Sequence, residues 1–249
     1  MPSFDAPYTY LITGASRSLG FGYAEQLLAA HENVRVVAAV RNPDKADQLQ
    51  ALAKKNEGRV LIVQCDVDDG ESVKACAEKL SADPFLPNGG LDALVANAGV
   101  FQGLHKTPTQ CSLEDLDANF RTNVYGVIHT VNSFLPLLEK GKGKQIFVVS
   151  SIVASFGGPF SQIPGAVTYS MSKAAVNMYV VKLARELGPK GYTVVPFHPG
   201  YVRTDMNSDG GGEIDTEEAV TKATKNVFLA ATPADNCRFM VYDGSEMPW

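Results

Sequence analysis

The sequence predicts an α/β protein in which helices cover both faces of a doubly wound parallel β-sheet, in a single domain that spans residues 1–249. Three observations support this prediction. Apolar, strand-like segments alternate with helical patterns along the chain. The segment Val34–Val40 (VRVVAAV) is apolar almost throughout, as expected for a parallel strand that is covered on both faces. A glycine-rich turn separates the first predicted strand, Tyr8–Thr13, from a helical pattern.

Composition and charge indicate an ordinary globular protein. The chain is 45% hydrophobic and 20% charged, and its net charge is −5. Because it contains no basic run, we expect neither nucleic acid nor an anionic membrane as a partner. The N-terminal residues lack a secretory pattern, and no apolar run reaches the ~18 residues of a membrane helix, which predicts a cytoplasmic protein. No C-x-x-C spacing occurs, so we expect no metal site and four buried, reduced thiols: Cys65, Cys76, Cys111 and Cys237.

The turn after the first strand is a candidate phosphate site. Backbone N–H groups in such a turn, together with the N-terminus of the next helix, bind anions, and glycine lets a pyrophosphate approach closely. The spacing here is not G-x-G-x-x-G, so a tight turn without a ligand is the alternative. The candidate binding residues are Gly14, Ser16, Arg17, Ser18, Leu19 and Gly20.

The end of the second predicted strand bears on the choice of cofactor. An acidic residue at this place would bind the ribose 2′-hydroxyl of NAD. The chain instead has Arg41 there, and Arg17 lies in the glycine turn. Two guanidinium groups suit a 2′-phosphate, so we expect NADP(H) rather than NAD(H). The alternative is that Arg41 is only a solvated strand end.

Two further strand ends are predicted to line the cofactor site. Asp66, followed by Val67, comes after the third strand, Val60–Gln64, and its carboxylate is suited to accept a hydrogen bond from an adenine amino group. The fourth strand, Leu91–Ala96, leads into three residues that would let the backbone pass beside a ribose: Asn97, Ala98 and Gly99.

The second half of the chain completes the predicted sheet. A capping pattern at Ser112 opens a long helix that contains Asn123. Residues 205–214 are polar and rich in glycine, so residues 201–216 are predicted to form a substrate loop or lid. The other predicted elements are helices at about 69–80, 112–140, 167–187 and 216–231, and strands at 144–149, 192–197 and 238–242.

The helix at 167–187 carries the strongest chemical signal. Tyr169 and Lys173 are four residues apart and therefore project from one helix face. A free tyrosine titrates near pH ~10, and a neighbouring cation lowers that pKa. The pair predicts an acid/base group, although a tyrosine and a lysine at this spacing are usually ordinary core and surface residues.

Several motifs occur together and in one order: Thr13-Gly14-x-x-x-Ser18-x-Gly20, Asn97-Ala98-Gly99, Asn123, Ser151, Tyr169-x-x-x-Lys173 and Pro199-Gly200. With this set the chain resembles the short-chain dehydrogenase/reductase family over essentially its whole length. Residues 242–249 resemble the branch that contains C-factor-like and sniffer-type carbonyl reductases and fungal ketoreductases. The resemblance implies a Rossmann fold and NADPH-dependent reduction of a ketone or aldehyde.

The resemblance also implies roles for single residues. Tyr169 would be the acid/base, Lys173 would lower its pKa and bind the nicotinamide ribose, Ser151 would hydrogen-bond the substrate oxygen, and Asn123 would hold a water between Lys173 and solvent. The cofactor site would be completed by Pro199, Gly200, Val202 and Thr204, the last two at the nicotinamide carboxamide. A homodimer or homotetramer through the helices of Asn123 and Tyr169 is implied as well.

Three features depart from the family pattern. Ser18 replaces the usual middle glycine of the first motif, and Ala96 replaces the first asparagine of N-N-A-G. The interval between Ser151 and Tyr169 is several residues wider than usual, because residues 160–164 look inserted. Ser150 and Ser155 therefore remain alternatives to Ser151.

The substrate is predicted only in outline. A bulky or aromatic ketone or aldehyde would fit an apolar pocket, although residues such as the pocket candidates are more often part of the core: Phe101, Phe156, Phe160, Met206 and Trp249. Two other functions fit this fold. One is a non-catalytic NADP-binding regulator, which would not need the proton-transferring residues. The other is a lyase or epimerase, which the chain length and the first motif's spacing disfavour.

Overall fold

The computed structural model describes residue 2 and residues 4–86, 89–206 and 211–249. Within them, seven strands form one sheet in the order β3-β2-β1-β4-β5-β6-β7, and every neighbouring pair is parallel. The strands are β1 Tyr8–Thr13, β2 Val34–Val40, β3 Val60–Gln64, β4 Ala93–Ala96, β5 Gln145–Val149, β6 Thr193–His198 and β7 Met240–Val241.

Helices cover both faces of this sheet, which confirms the predicted doubly wound α/β fold. On β1, Tyr10 and Ile12 belong to a core cluster that also contains Tyr23, whereas Leu11 belongs to a second cluster that contains Phe134. This alternation is the period of two expected for a strand buried on both faces. The helices are α1 Ser18–Ala30, α2 Asp47–Lys55, α3 Gly70–Ser81, α4 Leu113–Phe120, α5 Gly126–Lys140, α6 Val167–Leu187 and α7 Thr216–Ala223.

The strand order reverses between β1 and β4, and this position determines where a ligand can bind. In open parallel sheets the crevice lies outside the carboxyl ends of the strands at such a switch point. Here the two ends are tied together, because the backbone N–H groups of Asn97 and Ala98 donate to Thr13 Oγ1 at 3.0 and 3.1 Å. Asn97 Nδ2 also donates to the Thr13 carbonyl at 2.9 Å. Ala96, in place of an asparagine, is buried in β4.

The predicted bounds of β1, β2, β3 and α6 are confirmed, whereas the long helices differ. The helix predicted at 112–140 is α4 and α5 joined by a π turn, Arg121–Tyr125. The helix predicted to reach residue 231 ends as a second π turn, Thr224–Phe228. The last strand is only two residues long because the chain turns back, and Glu246 forms an antiparallel bridge with Met240.

Two other expectations change. Cys65 and Cys76 are buried as predicted, but Cys111 is exposed and Cys237 half-buried, because both lie in connections between elements. The predicted lid at 201–216 includes residues 207–210, which lie outside the described residues. None of the helices in the described ranges has the length and hydrophobicity that a membrane span requires.

Candidate active site

A cavity of about 710 Å³ runs along the carboxyl edge of the sheet. It is bordered by the segments that follow β1 through β6 and by the first turn of α6. Ser151 and all of the predicted cofactor residues line it: Gly14, Ser16, Arg17, Ser18, Leu19, Gly20, Arg41, Asp66, Val67, Asn97, Ala98, Gly99, Tyr169, Lys173, Pro199, Gly200, Val202 and Thr204.

The side chains of Tyr169 and Ser151 both line the cavity, and the Ser151 hydroxyl is near enough to lower the pKa of Tyr169. Ser151 is the second residue after the end of β5 and is 9% exposed. Tyr169 lies in the first turn of α6, which starts after Ala166 adopts a left-handed φ of 58° and redirects the chain. The end of a strand and the start of a helix thus bring two hydroxyl groups to one wall of the cavity.

The two alternative serines have other partners. Ser150 Oγ donates to Asn177 Oδ1 at 2.6 Å, and Ser155 Oγ donates to the Pro248 carbonyl at 2.6 Å. The widened interval before Tyr169 is taken up by short 3₁₀ turns, Ile152–Ala154 and Pro159–Gln162. The extra residues therefore leave Ser151 in the lining of the cavity; Ser150 lines it as well, whereas Ser155 is not among its described lining residues.

Burial determines the ionisation of the tyrosine–lysine pair. It raises the pKa of Tyr169 to about 12, although the neighbouring Ser151 side chain lowers this pKa in part. Burial also lowers the pKa of Lys173 to about 8, because the ammonium is only 3% exposed. The expected lowering of the Tyr169 pKa by Lys173 is not found: the pKa is raised, and desolvation of the phenol is the largest cause. Lys173 Nζ lies 5.7 Å from the centroid of the Tyr169 ring.

Asn123 lies in the π turn between α4 and α5 and is fully buried. Its Oδ1 accepts from the Val100 backbone N–H at 2.9 Å, and its Nδ2 donates to the Val100 carbonyl and to Ser172 Oγ, both at 3.0 Å. A Cβ atom added to Gly99 would lie 3.2 Å from Asn123 Oδ1 and 3.7 Å from Lys173 Nζ. The amide and the ammonium therefore face the same small space beside Gly99.

The glycine turn is shaped for an anionic group. Helix α1 begins at Ser18, and at its start neither a side-chain cap nor an acidic residue competes for the first N–H groups. A Cβ atom on Gly20 would lie 2.3 Å from the Gly14 carbonyl oxygen, so the turn can close this tightly only with glycine. Ser18, which replaces a glycine, has a left-handed φ of 51° and keeps the glycine-type backbone.

The two predicted arginines lie at the cavity margin with exposed side chains. Arg17 Nη1 pairs with Asp205 Oδ2 at 3.0 Å, across the mouth of the cavity. Arg41 is exposed at the end of β2. Sequence reasoning missed Asp205 as a partner of Arg17, because a contact between residues this far apart has no local signal.

The predicted pocket residues divide into two groups. Phe101, Phe160 and Met206 line the cavity. Phe156 and Trp249 are not among its described lining residues, so the structure does not bring these two predicted residues to the cavity. Phe156 is 83% exposed, and Trp249 packs against Phe239 with ring centroids 5.4 Å apart because the final residues fold back onto β7.

Sequence reasoning missed several residues that line the same end of the cavity. They follow β4, β5 or β6, or precede α6, and their place at the carboxyl edge of the sheet was the available signal. They are Leu104, His105, Val153, Ile163, Pro164 and Tyr201. In the described ranges, no group of three or more His, Cys, Asp or Glu side chains is placed to hold a metal ion.

Comparison with known proteins gives a consistent assignment. The family model for the short chain dehydrogenase matches residues 8–213. An uncharacterized oxidoreductase of Saccharomyces cerevisiae is 35% identical over 256 residues, which cover 96% of this chain and 96% of that protein. A short-chain dehydrogenase/reductase of an Arthrinium species is 34% identical over 215 residues, covering 81% of this chain and 77% of the relative.

Solved structures agree with the sequence matches. The crystal structure of an NADPH-bound carbonyl reductase from chicken fatty liver has a TM-score of 0.85 and 30% identity, and the match covers 98% of this chain and 100% of that one. The carbonyl reductase Sniffer of D. melanogaster has a TM-score of 0.86 and 27% identity, with the same coverage of 98% and 100%. The resemblance indicated by the motifs is confirmed, and this chain belongs to the short-chain dehydrogenase family of oxidoreductases.

Proposed function

We propose that this oxidoreductase reduces a ketone or an aldehyde to an alcohol with NADPH, and that Tyr169 is the acid of the reaction. The observation that carries the proposal is that Tyr169 and Ser151 line the same cavity, with Lys173 one helical turn from Tyr169 on α6 and lining it too. A tyrosine with a pKa of about 12 is protonated at neutral pH and is therefore ready to donate.

The two hydroxyl groups stabilise charge on the substrate oxygen. A carbonyl oxygen placed between Ser151 and Tyr169 accepts a hydrogen bond from each. These bonds strengthen as negative charge develops on the oxygen, so they stabilise the transition state more than the ground state. Tyr169 then gives its proton to the oxygen, which completes the alcohol.

Lys173 and Asn123 return a proton to Tyr169. With a pKa of about 8, Lys173 exchanges protons readily near neutral pH. Both side chains face the space beside Gly99, which leads into the cavity. Asn123 is held rigidly by both backbone groups of Val100, so it can orient a water there without moving.

The residues present fit NADP(H). The tight turn between Gly14 and Gly20 and the uncapped start of α1 suit the pyrophosphate, while Arg17 and Arg41 suit a 2′-phosphate. Asp66 lines the cavity, and its carboxylate would accept from the adenine amino group. When bound, NADPH supplies the hydride that reduces the carbonyl carbon. The NADPH-bound carbonyl reductase from chicken fatty liver supports this choice over NADH by its similarity.

We also propose that residues 201–216 form a loop over the substrate. Tyr201 and Met206 line the cavity, and the described part of the loop is closed by a bridge between Val202 and Ile214. The ion pair between Arg203 and Asp215, at 2.7 Å, ties the two ends of the loop. Exchanging Arg203 for Ala is expected to raise KM for the carbonyl compound; an unchanged KM would refute the role.

An assembly through α4, α5 and α6 is the proposed oligomeric state. Apolar side chains on these helices or in the π turn are exposed: Leu113, Tyr125, Met171 and Met178. Sedimentation velocity should show a dimer or tetramer that Tyr125→Asp weakens. A wild-type monomer at micromolar concentration would rule the assembly out.

The central test is a panel of aldehydes and ketones assayed by NADPH absorbance with wild type and Tyr169→Phe. Removing a general acid costs about 10²- to 10⁴-fold in rate, so kcat should fall by that factor while the Kd for NADPH stays within about twofold. Near-wild-type turnover by Tyr169→Phe would refute the assignment. NADPH binding without turnover of any carbonyl compound would favour a regulatory protein instead.

A further inference from the structure

Two asparagines on one side of the α4–π-turn segment hold the chain that follows β4. Asn123 binds the backbone N–H and carbonyl of Val100, as described above. Asn119, four residues earlier, makes the same pair of bonds to Gln102: its Oδ1 accepts from the N–H at 3.1 Å, and its Nδ2 donates to the carbonyl at 3.0 Å. Alternate residues are therefore held on one side, as in a strand at the edge of a sheet.

Thr168 extends this network to the catalytic helix. Its hydroxyl donates to the Gln102 carbonyl at 3.0 Å and accepts from Asn119 Nδ2 at 3.0 Å. Asn119 is fully buried and Thr168 is 1% exposed, so water does not compete for these bonds. The residue directly before Tyr169 is thus tied to the segment that carries Phe101.

Phe101 lies between the two held residues and stacks on Tyr169. The ring centroids are 4.1 Å apart and the rings are 24° from parallel. Phe101 also lines the cavity, as do the apolar residues Leu104 and Ile163. The result is an aromatic surface directly beside the hydroxyl group that donates the proton.

We propose that Phe101 determines substrate specificity and that Asn119 is the positioning residue that holds it against Tyr169. This inference rests on the proposed reductase function. The substrate oxygen must reach the hydroxyls of Tyr169 and Ser151, so the group attached to its carbonyl carbon comes next to Phe101. The favoured substrates are neutral carbonyl compounds with a planar aromatic group on that carbon, because aromatic rings gain from packing on one another beyond their apolar area.

The test compares two ketones of similar size, acetophenone and cyclohexyl methyl ketone. The wild type is expected to show the higher kcat/KM for acetophenone. Phe101→Leu keeps an apolar side chain but removes the ring, and should lower the acetophenone preference about fivefold, which corresponds to about 1 kcal/mol. Asn119→Ala frees Gln102 and should lower the same ratio by a similar factor.

Asn236→Ala is the matched control. The Asn236 side chain also binds two backbone groups: it accepts from the Val194 N–H at 2.9 Å and donates to the Ala184 carbonyl at 3.2 Å. Val194 lies near the amino end of β6, whereas the cavity lies at the carboxyl ends of the strands. Asn236→Ala should lower Tm without changing the ketone ratio. An unchanged ratio in Phe101→Leu or Asn119→Ala, or an equal change in Asn236→Ala, would overturn the assignment.

Binding of the two ketones separates this inference from the proposed reaction. In the presence of NADPH, thermal-shift titration gives the ratio of their Kd values without any turnover. An acetophenone preference in binding that Phe101→Leu and Asn119→Ala abolish would support the assignment even if neither ketone is reduced. In that case the failure would be that of the proposed reaction.

Discussion

Lys173 Nζ donates a hydrogen bond to the carbonyl oxygen of Val149, the last residue of β5, at 2.8 Å. This bond fixes the start of α6 against the strand that leads to Ser151. The ammonium is buried with a neutral acceptor, and burial holds its pKa near 8 instead of 10.5. The buried Lys173 ammonium therefore lowers the free energy of unfolding at neutral pH.

Replacing Lys173 with Met should stabilise the protein at neutral pH while abolishing most activity. The folded-state pKa of about 8 lies below the unfolded value of 10.5. Below pH 8 the buried lysine is therefore charged, and the folded state is destabilised by the whole cost of desolvating that charge. Between pH 8 and 10.5 the unfolded chain binds the extra proton, and wild-type stability rises with pH. After the loss of the bond to Val149, we expect a gain of about 1–2 kcal/mol at pH 7.

Urea unfolding of wild type and Lys173→Met at pH 7 and pH 10 checks this prediction. The difference in unfolding free energy should shrink at pH 10, and Lys173→Arg serves as the control that keeps the charge. A methionine variant that is less stable at both pH values would contradict it.

The pH dependence of carbonyl reduction should reflect the lysine rather than the tyrosine. With a pKa of about 12, Tyr169 stays protonated through pH 9, whereas Lys173 loses its proton near pH 8. We expect kcat for reduction to fall as the pH rises through about 8, and the residual rate of Lys173→Met to lack this transition. Steady-state rates from pH 6 to 10 with saturating NADPH measure both, and identical profiles would refute the role of Lys173.

Replacing Ser18 with Gly should raise the free energy of unfolding. A left-handed backbone conformation destabilises a residue with a Cβ atom by about 1–2 kcal/mol, and glycine would remove this strain. Glycine also loses more conformational entropy on folding, which offsets roughly 0.5–1 kcal/mol of the gain. The expected net gain is about 0.5 kcal/mol, while Ser18→Val should destabilise. Ser16 does not have a positive φ, so Ser16→Gly should not stabilise. Thermal and urea unfolding compare the three variants; a stabilised Ser16→Gly with an unchanged Ser18→Gly would argue against strain.

Replacing Asp205 with Asn should strengthen NADPH binding. In the structure the Asp205 carboxylate forms an ion pair with the Arg17 guanidinium. The proposed 2′-phosphate would need the same guanidinium. Exposed ion pairs contribute about 0–1 kcal/mol, so freeing Arg17 should lower the Kd for NADPH by up to about fivefold. Fluorescence titration with NADPH and NADH measures the change. Arg17→Ala should weaken NADPH but not NADH; equal effects on both cofactors would exclude a 2′-phosphate contact.

The sequence alone determined the elements and the chemistry that depend on near neighbours. The strands Tyr8–Thr13 and Val34–Val40 and the helix Val167–Leu187 were predictable, because a strand buried on both faces and a helix each leave a pattern within a few residues. The spacing of Tyr169 and Lys173 places both on one helix face for the same reason. The ordered set of motifs was sufficient to predict the family.

The tertiary structure decided every property that depends on residues distant in the chain. Ser151 is distinguished from Ser150 and Ser155 only by the partners that Asn177 and Pro248 supply. The pKa of Tyr169 is raised rather than lowered because the fold partly desolvates the phenol, an effect that no local pattern records. Phe101 stacks on Tyr169, and its neighbour Gln102 is bound by Asn119 and Thr168, so this arrangement depends on contacts among segments that are distant in the chain.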